Sequence, residues 1–331
     1  MGNNIAWCQN PDGSNGESWN PVVGCSAVSP GCVHCWAASF ASRGLSAEHK
    51  GLAADGKWIG APRFLPERLS VPLRRRKPTG YAVGLMSDLF HDAFTDEQIA
   101  AVFGVMAATP RHRYYVLTKR AERMRRWLEW IVSGQAIRKV GALLVGPQGQ
   151  VTPWPLPNVY VGVTVEDQER AEERIPHLLA TPAAVRLLSV EPMIGAVRLD
   201  HLDADAAGHR EWCQIDALTG KQTDLGRPCR DLPARIDWVI AGSEAGPRAR
   251  PCDVTWIRSV VEQCRAAGVP VFVKQLGARP VTWRYRDIDP DGDEREECGQ
   301  PWPLHLRDRA GGDPSEWPED LRIRELPEAG R

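Results

Sequence analysis

Cys25, Cys32 and Cys35 lie within eleven residues of each other in the run GCSAVSPGCVHCWA, on a stretch punctuated by Gly24, Pro30 and Gly31. Three thiolates on one loop read as ligands of a single metal centre. A closed structural zinc site takes four protein ligands, and so does an ordinary four-iron cluster. Three cysteines leave one metal position open, and an open position is where a cofactor or substrate can reach the metal. The other use of the same thiols is a structural zinc completed by His34 or Cys8.

A loop of this kind needs a rigid scaffold, and the chain repeats a strand-then-helix rhythm that supplies one. Apolar runs at 22–25, 81–86, 113–118, 158–165, 185–190, 236–242 and 269–277 read as seven strands. Amphipathic stretches at 95–108, 119–132, 166–180 and 253–268 read as helices between them. Val-, Ile-, Leu- and Tyr-rich strands alternating with helices predict βαβ units, a parallel sheet and an α/β fold. Six or seven such strands fit a (β/α) barrel, complete or partial. Ligands of barrels and open α/β sheets gather at the carboxyl ends of the strands.

Each predicted strand delivers polar residues at that end. After Cys25 come Ser87 and Asp88, then Thr118 and Lys119, Glu166, Glu191, Ser243 and Glu244, and finally Lys274 and Gln275. Ser87 and Asp88 would suit an ammonium group or a helix N-cap. His91, one turn further on, would serve as a proton donor, a substrate contact or a cap. Glu191 precedes Pro192 and is therefore held stiffly. Glu166 doubles as an acidic first-turn residue. The loop GSEAGPRARP (242–251) offers Arg248 and Arg250 to an anion. Lys274 stands in an apolar strand, where an unpaired ammonium is costly, so it is expected to meet an acid or a substrate. Trp36, directly after Cys35, either shields the metal or packs on the first turn of a helix.

Seven blocks carry a resemblance over about residues 19 to 277: WNPVVGCSAVSPGCVHCWA, GLMSDLFHDAF, YYVLTKRAERM, VYVGVTVEDQERAEERI, RLLSVEPMIG, WVIAGSEAGPRARP and VFVKQLG. Together they resemble a phage- and prophage-borne family of largely unassigned function, regarded as radical-S-adenosylmethionine-like and similar to spore photoproduct lyase. The usual spacing of that superfamily is CxxxCxxC; here the second gap is kept and the first is lengthened to six residues. The resemblance implies a [4Fe–4S] cluster on Cys25, Cys32 and Cys35, with S-adenosylmethionine (SAM) on the fourth iron. It further implies reductive cleavage of SAM, hydrogen abstraction from a substrate, and a reductant such as a flavodoxin or ferredoxin. SAM would then be contacted from Ser87, Asp88, Thr118, Lys119, Glu166, Glu191, Ser243 and Glu244. Lys274, Gln275 and His91 would act on the substrate.

Composition narrows the partners. Residues 57–140 carry 16 Lys and Arg against 7 Asp and Glu, while residues 284–331 carry 8 against 14. A basic stretch beside a site attracts phosphates or forms a solvated helix face. With the lyase similarity, it makes a nucleic-acid base or modified thymine the expected substrate. An amino acid or peptide, and a zinc-stabilised nucleic-acid-binding protein without redox chemistry, are the rivals. The other six cysteines (Cys8, Cys213, Cys229, Cys252, Cys264, Cys298) lack CxxC spacing and read as core thiols, with Cys213 and Cys229 a weak second pair. No apolar run approaches the ~20 residues that span a bilayer. The start, MGNNIAWCQNPDG, lacks the basic and apolar regions of a signal peptide, so a cytoplasmic location without membrane contact is expected. The barrel is expected over 1–283, with a polar insertion at 198–235 between the fifth and sixth strands. An acidic, Pro-rich extension follows over 284–331, partly disordered, in which DPDGDEREE reads as a solvated turn rather than a calcium loop.

Overall fold

The computed structural model describes residues 5–10, 12–134, 154–203, 213–224, 227–228, 231–282 and 301–327. The DPDGDEREE turn, Cys229, Cys298 and most of the Gly/Pro-rich stretch at 133–157 lie outside the described residues. One large sheet organises the rest. Its strands follow chain order: β1 (Ile5–Gln9), β2 (Asn15–Trp19), β3 (Gly80–Val83), β4 (Arg113–Thr118), β5 (Val159–Val165), β6 (Val185–Val190), β7 (Trp238–Gly242) and β8 (Val271–Gln275). The β1–β2 pair is antiparallel and every other pair is parallel. β1 and β8 approach one another, so the sheet is barrel-like and nearly closed.

Alternation along each strand explains the two cores. Trp7, Cys8, Ala82, Tyr115, Tyr160, Leu187, Trp238, Ile240 and Phe272 form one cluster built from strand residues alone, the filling enclosed by the curved sheet. Their neighbours Tyr81, Tyr114, Val116, Val161, Val163, Leu188 and Val239 face the other way and pack with the helices. These helices are α1 (Trp36–Ala41), α2 (Asp96–Ala108), α3 (Ala121–Val132), α4 (Gln168–Ala180) and α5 (Val254–Ala267). Thr95 starts α2 with a full capping box: its hydroxyl accepts from Gln98 N at 3.3 Å, and the Gln98 side chain accepts from Thr95 N at 3.0 Å. Thr95→Ala is expected to cost about 1 kcal/mol, read as a lower urea midpoint at unchanged slope. Asp253 caps α5, and Gly268 ends it at φ +64°. Among the described residues no helix is long and apolar enough to cross a membrane.

One part departs from the expected layout. The strand expected at 22–25 is not in the main sheet. Val22–Val23 pairs antiparallel with Arg63–Phe64, and the sheet position belongs to Asn15–Trp19. That strand is polar because little of it faces the core. Trp19 anchors it, and Gly16 lets Cys8 and Gly80 come so close that a Cβ would lie 2.5 Å from the Gly80 carbonyl. The insertion builds a small antiparallel sheet of Leu202–Asp203, Cys213–Asp216, Lys221–Asp224 and Arg227–Pro228. Its Leu202, Ile215 and Leu218 pack into the helix-side core.

Residues 301–327 of the acidic extension fold back on the barrel. Trp317 and Leu321 are fully buried. Val273 N donates to Ile323 O at 2.8 Å, Glu325 N donates to Val271 O at 3.0 Å, and the Trp238 indole donates to Glu325 O at 3.0 Å. The chain here lies along β8 and satisfies backbone groups at that edge of the sheet.

Candidate active site at the carboxyl ends of the strands

The cysteine loop lies across the carboxyl ends of the strands and is held there by polar groups from four of them. Beyond β3, Gly24 N donates to Met86 O at 3.0 Å, and the Ser87 hydroxyl donates back to Gly24 O. Ser87 therefore fixes the loop's entry. Asp88 organises the next contact. It accepts from Thr118 Oγ1 at 2.7 Å, Phe90 N at 3.0 Å, Lys119 N at 3.1 Å and the Arg120 guanidinium at 3.0 Å. So occupied, Asp88 aims Arg120, whose guanidinium lies 3.8 Å from Cys25 Sγ and 2.9 Å from Ser26 Oγ. Burial pushes the Cys25 thiol up to about 12; Asp88 adds to the rise and Arg120 opposes it.

The middle of the loop is held from β5 and β7. Glu166 is fully buried; one carboxylate oxygen accepts from Gly31 N at 3.3 Å, the other from Lys119 Nζ at 3.2 Å and Arg174 at 2.9 Å. Burial alone would raise its pKa, but Lys119 and Arg174 outweigh it and hold the carboxyl below its ordinary range. Gly31 has no room for a side chain, since a Cβ would come 2.9 Å from Glu166 Oε1. Glu244 takes the Arg250 backbone N at 2.7 Å and its guanidinium, and lies 3.2 Å from His34 Nδ1. Arg250 in turn donates to Pro30 O at 3.1 Å. The anion expected at 242–251 is thus supplied internally for Arg250, by Glu244.

His91 joins the loop from the other side. Its Nδ1 accepts from Ala93 N at 3.0 Å, which assigns the proton to Nε2, and Nε2 lies 2.8 Å from Ser26 Oγ. Burial and then Arg120 lower its pKa. A second polar set spans β6 to β8: Lys274 Nζ lies 2.5 Å from Glu191 Oε1, and Gln275 donates to Ser243 O at 2.7 Å. No hydrogen bond among the described residues links this set to the cysteine loop.

The fit of a metal centre rests on the donor set. Three soft thiols, partly buried, share one loop, while the carboxylates around it (Asp88, Glu166, Glu244) are already engaged by cations. Soft donors of this kind suit iron–sulfur clusters or zinc. Among the described residues no three His, Cys, Asp or Glu side chains converge to hold a metal ion, so loading requires the thiols to turn toward a common point. Cys8 is no fourth ligand. It is buried in the enclosed core, its thiol against Gly16 and the start of β3, at the opposite end of the strands.

Two residues central to this geometry escaped the sequence reading. Arg120 directly follows the pair Thr118 and Lys119 that marks the end of β4. Arg174 was the more legible, because it stands on the apolar face of α4 with Ala171, Ile175 and Leu178, where a cation demands a buried acid.

Fold and site together define an α/β protein with a nearly closed, mostly parallel sheet and a three-cysteine loop clamped over its strand ends. The chain matches the model of the family described as "Protein of unknown function (DUF5131)" over residues 3–304, and it belongs to that family. No curated protein and no solved structure matches it.

Proposed function

We propose that this protein is a radical SAM enzyme on a partial (β/α) barrel, with Cys25, Cys32 and Cys35 as the ligands of a [4Fe–4S] cluster. The observation that carries the reading is the clamp: groups from the ends of β3, β4, β5 and β7 converge on one short loop that carries three thiols. When bound, the cluster and SAM supply the electron transfer and reductive cleavage that precede hydrogen abstraction. The chain's own work is positional. Arg120 and Asp88 orient Cys25, while Glu166 and Arg250 hold the backbone at Gly31 and Pro30. Lys274, Glu191 and Gln275 offer a polar grip on a substrate, and His91 keeps a proton on Nε2. The basic stretch at 57–140 and the lyase resemblance favour a nucleic-acid base or modified thymine as that substrate. A flavodoxin or ferredoxin is the matching reductant.

Anaerobic purification tests this directly. About four irons and four sulfides per chain, a brown protein, and 5′-deoxyadenosine released from SAM under reduction are expected. All three are lost when Cys25, Cys32 and Cys35 are replaced together by Ala. A colourless protein carrying one zinc would end the radical reading.

One contact favours that second reading. Glu244 on His34 Nδ1, at 3.2 Å, leaves Nε2 available, the carboxylate–histidine pattern that commonly backs a zinc ligand. His34→Ala separates the two, since a Cys3His zinc site loses its metal and a three-cysteine cluster keeps its iron.

A further inference from the structure

Nine large hydrophobic side chains are exposed among the described residues, and six of them fall between positions 28 and 59: Val28, Val33, Trp36, Phe40, Leu45 and Ile59. They belong to the cysteine loop and the lobe that follows it. Trp36 and Phe40 stand one turn apart on α1, 56% and 39% exposed, directly beyond Cys35. The other side of α1 is buried through Ala37 and Ala41 against Val23, Leu52 and Met86, so the helix is anchored and its aromatic side faces out. The Ala53–Ala54 and Lys57–Trp58 hairpin packs on α1, with Gly56 N donating to Ser42 Oγ at 2.9 Å.

Cations outnumber acids around this aromatic face, where Asp55 at the hairpin turn is the one exposed acid between residues 28 and 59. The Arg43 guanidinium lies 5.9 Å from the Phe40 ring centroid. Arg43, Lys50, Lys57 and Arg248 are exposed, and among the described residues none has a carboxylate within ion-pair distance. The nearby acid Glu48 is taken by Arg68 at 2.5 Å. A buried apolar partner would leave these cations desolvated and unpaired, which is costly. Flat aromatic faces among unpaired cations match a chain that brings planar rings and negative charge together. A double helix hides its ring faces, so the strand must be unpaired.

We propose that the face formed by Trp36, Phe40 and Arg43, with Lys57 on the adjoining hairpin, binds unpaired nucleotides of a single-stranded nucleic acid, beside the cysteine loop. The proposal deepens the nucleic-acid branch of the function above and rests on it only for what happens to the bound base. Bases stack on Trp36 and Phe40, and phosphates meet Arg43, Lys57 and Arg248.

Fluorescence anisotropy of a labelled oligothymidylate against the full chain, repeated over a range of salt, tests it. Trp36→Ala and Phe40→Ala are each expected to weaken binding about tenfold with the salt slope kept. Arg43→Gln with Lys57→Gln is expected to lower the slope of log K against log salt by about 1 to 2. A duplex of the same length binds more weakly than the single strand. Wild-type affinity in both aromatic variants, equal or tighter duplex binding, or no binding by the wild type would each overturn the proposal. So would self-association abolished by Trp36→Ala without any binding of oligonucleotide, which would make a second copy the occupant. Iron content measured on the same preparations keeps the readings apart. Iron with no oligonucleotide binding sinks this proposal alone, and binding without iron sinks the cofactor reading alone.

Discussion

Replacing Glu166 by Gln is expected to destabilise the protein by about 3–5 kcal/mol, seen as a sharply lower urea midpoint or a loss of soluble protein. Glu166 is fully buried and is the acid for two cations, Lys119 and Arg174. Arg174 is itself 1% exposed, so water cannot replace the lost charge. The Gln amide would also turn an N–H group toward donors that now point at a carboxylate. Removing one partner of a buried pair is costly even where the pair contributes little net stability. Replacing Glu166 and Arg174 together by Leu and Met is therefore expected to recover part of the loss. If the single variant is as stable as the parent, the pair is not the keystone of this end of the barrel. The same group predicts a pH dependence. Because its folded pKa lies below the ordinary value of 4.5, its contribution is fully present above pH 4.5 and disappears as pH falls through the folded value. In Glu166→Gln the acid-side loss of stability is correspondingly shallower.

How much of this could be read beforehand divides along a physical line. Strand and helix periodicity is local, so β3 to β8 and α2 to α5 were all legible, and caps such as Thr95 and Gly268 marked their ends. The polar residues at strand ends were legible too, since any parallel sheet gathers them on one rim. Partner choice was not. Glu166 meets Gly31 across 135 residues, and Arg250 meets Pro30 across 220, because sheet closure rather than sequence proximity joins them. Asp88 reads as a contact for an ammonium group or as an N-cap; beside the local bond from Phe90 N, three of its partners come from the next strand end. β2 was missed because Asn15–Trp19 is polar, although Asp12 and Gly13 between two short runs carried a turn signal. The path of residues 301–327 along β8 answers a need of the folded edge, which no composition reveals.

Asp88→Asn is the sharper test of the clamp, and its expected result is a loosened cysteine loop in a folded chain. Asp88 is 5% exposed and accepts four hydrogen bonds, two of them from the Lys119 backbone and the Arg120 guanidinium on the same oxygen. An amide can keep acceptance on one atom only. Its N–H2 group would face either those two donors or the Thr118 hydroxyl and Phe90 N. A cost of about 2–4 kcal/mol follows from an unsatisfied buried donor and a partly uncompensated guanidinium. Arg120 then loses the group that aims it, and with it the contacts at Cys25 and Ser26. In metal-free protein, alkylation of Cys25 and amide exchange over 24–35 should both speed up, while protection of the enclosed core around Trp238 stays. Under the cofactor reading, reconstituted iron per chain falls as well. A positioning role also demands coupling: Asp88→Asn and Arg120→Met, combined, should fall short of additivity by 1 kcal/mol or more, roughly the lower range for contacting charged pairs. Additive losses with unchanged Cys25 alkylation would mean that Asp88 merely caps the turn at Phe90, and that the thiols owe their arrangement to the loop alone.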